Sequence, residues 1–286
     1  MSWFYLSLAA AVLWAVVAIA EKKSCIGEKP ILASVASTSI WGILSLLLIP
    51  YINIPHDLRI LLLMLVAGAV FGISYYLSAK AFKYLSASEV SPLYNFGTII
   101  TVVLAVVLLH EKLTGLQVVG ILTIVFGTYF LEMKKGSPLA PLQKIFASEK
   151  IHYVIFSTIG YSILAVLSKY ILGFVDPITY IFSQLFISGA FVFLLSMFKG
   201  LSVKNIISGI RGHRLAILII AISMFVAQIF EILAFADGEA SLVMPIIRCW
   251  TLLATVFGGA FFREGRMKNK IIASIIMLIG VFIIYL

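Results

Sequence analysis

The sequence predicts an all-α polytopic membrane protein, ten transmembrane helices arranged as two inverted five-helix repeats. With 62% hydrophobic and 12% charged residues among 286, and a mean hydropathy of +1.14, the chain has too little polar surface to cover a soluble globule. Ten apolar runs each approach the roughly 20 residues that a helix needs to cross a hydrocarbon core of about 30 Å. The second half also repeats the first. Adding 153 to positions between Ala81 and Gly127 brings Ala81 onto Ala234, Phe82 onto Phe235, Ala87 onto Ala240, Ser88 onto Ser241, Val90 onto Val243, Pro92 onto Pro245, Glu111 onto Glu264 and Gly127 onto Gly280. Nearer the start the offset is 147, pairing Ala18 with Ala165, Lys22 with Lys169 and Pro30 with Pro177. Each copy holds an odd number of spans, so the two copies lie upside down to each other, an arrangement that marks transporters.

The spans are expected in order at 2–20, 31–50, 59–79, 88–109, 115–132, 152–172, 177–198, 214–236, 240–262 and 268–286. Runs such as Leu104–Leu109 are continuously apolar, where β-barrel strands would alternate, so helices are the fit. The first run ends in Ala18-Ile19-Ala20, which imitates a signal-peptidase site. It lacks a basic leader and the repeat needs its helix, so it reads as a mature span. The longest polar stretch, with Lys134-Lys135-Gly136-Ser137-Pro138 and Pro141, divides the chain into a first repeat at 1–133, a linker at 134–150 and a second repeat at 151–286. Within the linker, Leu142–Phe146 suits a short amphipathic helix on the lipid surface.

The net charge of +9 would by itself suggest a nucleic-acid partner, but its distribution argues for topology instead. Nearly all of the 21 Lys and Arg residues fall in the odd-numbered connections, leaving only Arg59, Lys112, Lys169 and the intramembrane Arg248 elsewhere. By the positive-inside rule the cation-rich face is cytoplasmic and both termini are outside. The two cysteines, Cys25 and Cys249, suit neither a disulfide framework nor a metal site. Helices this apolar gain little from burial in lipid and pack instead through small residues. Gly68-x-x-x-Gly72 is expected to form one such face within a monomer, and Gly120, Gly127 and Gly280 to do the same for the fifth and tenth helices.

The paired Ala-Phe elements at 81–82 and 234–235, the Ala-Ser-x-Val-x-Pro elements at 87–92 and 240–245, the two glutamates and the glycines of the closing helices resemble the drug/metabolite transporter superfamily, and within it the ten-helix EamA-type transporters. The resemblance implies a basket of two inverted five-helix repeats around a central cavity lined by helices one, three, four, six, eight and nine. It also implies alternating access and, from the habit of bacterial relatives, termini inside. The second connection, where such relatives carry their arginines, has only Arg59 here, so both orientations stand.

An ionisable group inside a membrane helix costs at least about 2.5–3.5 kcal/mol and must be paired, wet or functional. Arg248 lies about eight residues into the ninth span, roughly 12 Å deep, and Glu231 about five residues before the end of the eighth, roughly 8 Å deep. Gln228 shares the Glu231 face three residues away. The repeat aligns these three with Asn95, Ser78 and Tyr75, so the charged constellation belongs to the second half alone. Arg248 is expected to bind a carboxylate or other anionic group. Glu231 either neutralises Arg248, meets a substrate cation or carries a coupling proton. Trp14 and its repeat mate Tyr161, with Tyr75, Tyr76 and Tyr94, are candidate aromatic walls. Asn95 and Gln184 complete the candidate set, while Glu111 and Glu264 read as caps of the helices that follow them.

No His-Glu-x-x-His, phosphate-cradling loop or Cys-x-x-Cys motif occurs, so neither an enzyme, a resident cofactor or metal, nor nucleotide-driven pumping is expected. The function expected is secondary transport in the cell (plasma) membrane: export of amino acids or related small metabolites by alternating access, coupled to a proton or an exchanged solute. The alternatives are efflux of lipophilic or cationic compounds and flipping of a lipid-linked phosphate. Lipid and the small-molecule substrate are the expected partners.

Overall fold

A computed structural model describes residues 2–24, 30–84, 87–132, 150–204, 206–207, 214–261 and 267–286. The expected linker at 134–150 lies outside them except for Lys150, and Glu264 and Cys25 lie outside them altogether. The first five spans appear as α1 (Ser2–Ser24), α2 (Pro30–Ser45), α3 (Leu58–Tyr84), α4 (Ala87–Leu108) and α5 (Gly115–Glu132). The second five appear as α6 (Ile151–Ile171), α7 (Pro177–Phe198), α8 (Arg214–Asp237), the pair α9 (Ala240–Ile247) and α10 (Trp250–Phe261), and α11 (Met267–Tyr285). Six helices are long and apolar enough to cross a membrane, and the remaining spans form shorter apolar helices among the described residues.

The packing obeys the repeat. α1 packs on α8 and α3 on α6, which are the same pairing once the two halves are exchanged. α2 meets its own mate α7, and α5 meets its mate α11. Small residues set these contacts: a Cβ on Gly42 would stand 3.5 Å from the Gly189 Cα, and one on Gly280 would stand 2.8 Å from the Gly120 carbonyl oxygen. Gly68 and Gly72 abut Ile187 and Ser188, so this face is spent inside the chain, on α7.

Two spans depart from expectation. The second narrows to a 3-10 helix over Leu46–Tyr51, which contains Pro50. The ninth is not continuous: α9 ends at Ile247, and Arg248 and Cys249 form a turn before α10. Across that turn the hydrogen bonds tighten, Cys249 N–H donating to Ile246 O, Thr251 N–H to Arg248 O and Leu252 N–H to Cys249 O. Pro245 cannot donate into the ladder, yet its mate Pro92 lies within the unbroken α4. The halves differ where Arg248 and Trp250 replace Asn95 and Gly97, and the break falls between those larger side chains.

The two faces are chemically distinct. Towards the odd-numbered connections, Lys80 Nζ lies 4.8 Å from the Tyr76 ring centroid and 5.0 Å from that of Tyr153, while Lys199 Nζ donates to the Tyr76 hydroxyl at 2.8 Å. On the opposite face the Ser2 hydroxyl bonds Asp237, and Lys169 Nζ donates to the Phe235 carbonyl at 2.8 Å.

Candidate functional site

The break in the ninth span gives the site its charge. Arg248, at its apex, is 4% exposed, with its guanidinium carbon 5.6 Å from the Tyr94 ring centroid and 6.0 Å from that of Tyr161. This is cation–π geometry, which holds a guanidinium without consuming its donors. Among the described residues, Nε and Nη2 have no hydrogen-bond partner. Gly97 lets α4 approach α6 beside the guanidinium, because a Cβ there would stand 2.7 Å from the Thr158 methyl and 3.4 Å from Nη2. α6 holds α4 at that point through Ser162, whose hydroxyl donates to the Gly97 carbonyl at 2.9 Å.

Arg248 faces a cavity of about 650 Å³, its mouth included, between α1, α3, α4, α6, α8, α9 and α10. The wall carries the aromatic rings of Trp14, Phe71, Tyr75, Tyr94, Tyr161 and Trp250, and it reaches Phe82 near the end of α3 on the cation-rich side. Glu231 is also in the wall, at 9% exposure. Trp14 Nε1–H donates to its Oε2 at 2.7 Å and Gln228 Nε2 approaches the same oxygen at 3.5 Å. Glu231 and Arg248 feel each other's charge without forming a direct ion pair among the described residues. The carboxylate and the guanidinium thus stand apart, with the tryptophan donor at the carboxylate.

Of the residues expected at the site, Trp14, Tyr75, Tyr94, Tyr161, Glu231 and Arg248 line the cavity. Gln228 stands behind Glu231, fully buried. Tyr76 turns to Lys80 and Lys199, since neighbours in sequence lie about 100° apart around a helix. Gln184 is buried on α7, away from the wall. Asn95 is on α4, its side chain outside the described ones.

Sequence reasoning missed Glu21. Followed by Lys22 and Lys23, it reads as the solvated end of a span closing at residue 20, but α1 continues to Ser24 and carries Glu21 into the cavity wall at 7% exposure. It stands seven residues from Trp14, hence on the same helix face, and that spacing was the available signal. The Tyr75 hydroxyl bonds its carboxyl and lies 3.2 Å from the Ser37 hydroxyl. No group of three or more metal-ligating side chains occurs among the described residues.

Glu111 also departs from expectation. It lies just beyond α4, but its carboxylate accepts the backbone N–H of Ala240 at 2.8 Å and of Ser241 at 2.9 Å, together with the Ser241 hydroxyl. It caps α9 of the other repeat rather than the helix that follows it, because the inverted packing puts that N-terminus closer.

Two inverted five-helix halves around a buried, sparsely charged cavity define a membrane carrier of small solutes. The model of the EamA-like transporter family matches residues 1–133 and 150–286, and the chain belongs to that family. No curated protein matches the sequence. A solved structure, described only as the crystal structure of a protein, superposes with a TM-score of 0.76 over 99% of this chain and 96% of its own at 16% identity, a likeness of fold.

Proposed function

We propose that this protein exports amino acids or related small metabolites across the plasma membrane by alternating access, driven by a proton or an exchanged solute. The observation that carries this reading is Arg248: a buried guanidinium whose Nε and Nη2 are unpaired among the described residues, stacked on two tyrosines and facing the cavity. An unsatisfied buried charge is costly, and an anionic group of the substrate is the natural partner. The cavity runs from Glu231 and Arg248 towards Glu21 and Phe82 on the cation-rich side. The opposite side is tied by Glu111 on α9 and Lys169 on the end of α8. Loading from the cytoplasm and release outside follow if the cation-rich face is cytoplasmic. A second reading, efflux of lipophilic cations, is favoured by the two cavity carboxyls and the aromatic wall.

Radiolabelled uptake into proteoliposomes, with an amino-acid panel, a cationic-dye panel and imposed pH gradients, tests both. Amino-acid transport that falls at least tenfold in Arg248→Gln is expected, since a hydrogen bond to a charged group is worth about 1.5–3 kcal/mol. Dye transport without amino-acid transport would overturn the first reading in favour of the second.

A further inference from the structure

α3 packs on α6 and on α7 along two separate lines. Its Gly68 and Gly72 abut Ile187 and Ser188 of α7, while its Val70 and Ser74 meet Gly160 of α6. Between those lines a stripe of α3 stays exposed through Leu62, Val66 and Ile73. Each residue turns the helix by about 100°, so Lys80, seven residues beyond Ile73, falls on the same stripe. An apolar groove thus ends at an ammonium group. Tyr76, one turn before Lys80, is 5% exposed. Lys80 Nζ lies 4.8 Å from its ring centroid, and Lys199 Nζ, just past the end of α7, lies at 4.4 Å. Lys199 also donates to the Tyr76 hydroxyl at 2.8 Å, which leaves the hydroxyl proton unclaimed among the described residues. Tyr153 of α6 flanks Lys80 at 5.0 Å and stacks on Tyr84, where Lys83 Nζ stands 5.4 Å from the ring centroid. Ammonium groups gathered in this way repel one another, and an anion placed between them removes the repulsion.

We propose that this groove binds an anionic glycerophospholipid of the cation-rich leaflet. The phosphodiester sits between Lys80 and Lys199 and accepts the O–H of Tyr76, while Lys83 adds positive field at the headgroup. Basic recesses between membrane helices at the headgroup level take anionic lipids in this way. One acyl chain runs along Ile73 and Val66, about 10 and 21 Å from Lys80 at 1.5 Å per residue, which covers one leaflet of a core about 30 Å thick. Lysines that only snorkel to the interface spread apart in water, whereas Lys80 and Lys199 converge on one buried ring. The groove lies on the side of α3 turned away from the cavity that Tyr75 lines, so its occupant is distinct from the transported solute. The bound lipid ties the ends of α3, α6 and α7 together on that face.

The full chain, purified in a non-ionic detergent and stripped of lipid, is titrated with phosphatidylglycerol, phosphatidylcholine and glycerol 3-phosphate, and bound ligand is read by native mass spectrometry. Wild type is expected to bind one phosphatidylglycerol at least tenfold tighter than phosphatidylcholine. Each lysine near an anionic headgroup is worth about fivefold in affinity, so Lys80→Gln together with Lys199→Gln is expected to weaken binding about thirtyfold. Arginine at both positions is expected to retain it. Lys204→Gln with Arg214→Gln removes the same charge from the same face and is expected to leave binding at the wild-type value. If that control pair weakens binding as much as the Lys80 and Lys199 pair, general surface charge is responsible and the site is overturned. Phosphatidylcholine bound as tightly as phosphatidylglycerol overturns the anionic headgroup, and glycerol 3-phosphate bound as tightly as the lipid overturns the acyl groove. Should the double variant not fold, each single variant is expected at about fivefold, and an unchanged affinity in both overturns the proposal.

Discussion

Trp14 shows how a single side chain ties the halves of this protein together. It comes from the first repeat, yet its indole N–H serves Glu231 of the second at 2.7 Å, and the remaining donor, Gln228, stands at 3.5 Å. Trp14→Phe keeps the ring and removes the donor, leaving the carboxylate under-satisfied at a cost of about 1–3 kcal/mol. We expect a lower melting temperature in detergent, restored in part by Glu231→Gln in the same background. Equal losses from Trp14→Phe in the two backgrounds would mean that ring packing, not the hydrogen bond, matters. Gly97 is the complementary case, defined by what it lacks. A methyl group there meets the Thr158 methyl at 2.7 Å and the Ser162 hydroxyl at 3.2 Å, so Gly97→Ala should cost about 1–3 kcal/mol by overpacking and weaken transport by shifting α4, which carries Tyr94, against α6. Thermal melts and uptake measured side by side check this.

At the scale of elements, the N-terminus of α9 is held by a residue from the other repeat. The Glu111 carboxylate satisfies two backbone N–H groups and a hydroxyl of Ala240 and Ser241, where the positive end of the helix dipole favours an anion. Glu111→Ala should cost about 1–2 kcal/mol, as lost caps do. It should also speed thiol labelling of a cysteine placed at Asp237, because the tie closing that face is gone; unchanged labelling would reduce Glu111 to a static cap. Beside it, half-buried Glu239 is pushed above its ordinary value by burial and by the neighbouring Glu111, with Lys169 opposing. A carboxyl whose folded value is raised contributes stability that is full below the ordinary carboxylate range and lost as pH rises through the folded value. Melting temperature should therefore decline slightly from mild acid towards neutrality, and Glu239→Gln should flatten that slope.

For the whole molecule, the exchange of α1·α8 for α3·α6 and the self-paired α2·α7 and α5·α11 build two matching frames around the cavity, the arrangement that the proposed alternating access requires. The asymmetry lies within that frame: Glu21, Glu231 and Arg248 have the mates Ser168, Ser78 and Asn95, none of them charged. By the positive-inside rule the charge bias predicts both termini outside, the opposite of what the resemblance implies. Terminal thiol tags should react with a membrane-impermeant reagent on intact cells, and protection of both until lysis would reverse the orientation.

The sequence by itself determined the architecture, because hydropathy and the repeat are local and one-dimensional properties. Ten apolar runs, offsets of 147 and 153, and glycines at contact spacing translate directly into spans and their inverted pairing. It also isolated Arg248 and Glu231, since charge in a membrane span stands out against its surroundings. What only the tertiary structure decided was direction and partnership. Neighbouring Tyr75 and Tyr76 face a cavity and a lysine cluster respectively, because successive residues diverge around a helix. Glu111 serves a helix 129 residues away, a contact that follows from packing and leaves no trace in local sequence. Glu21 changes from helix end to cavity wall by one extra turn of α1, and helix ends are set by tertiary contacts more than by propensity. The break at Arg248 likewise needs the neighbours of the ninth span, since its mate passes a proline unbroken.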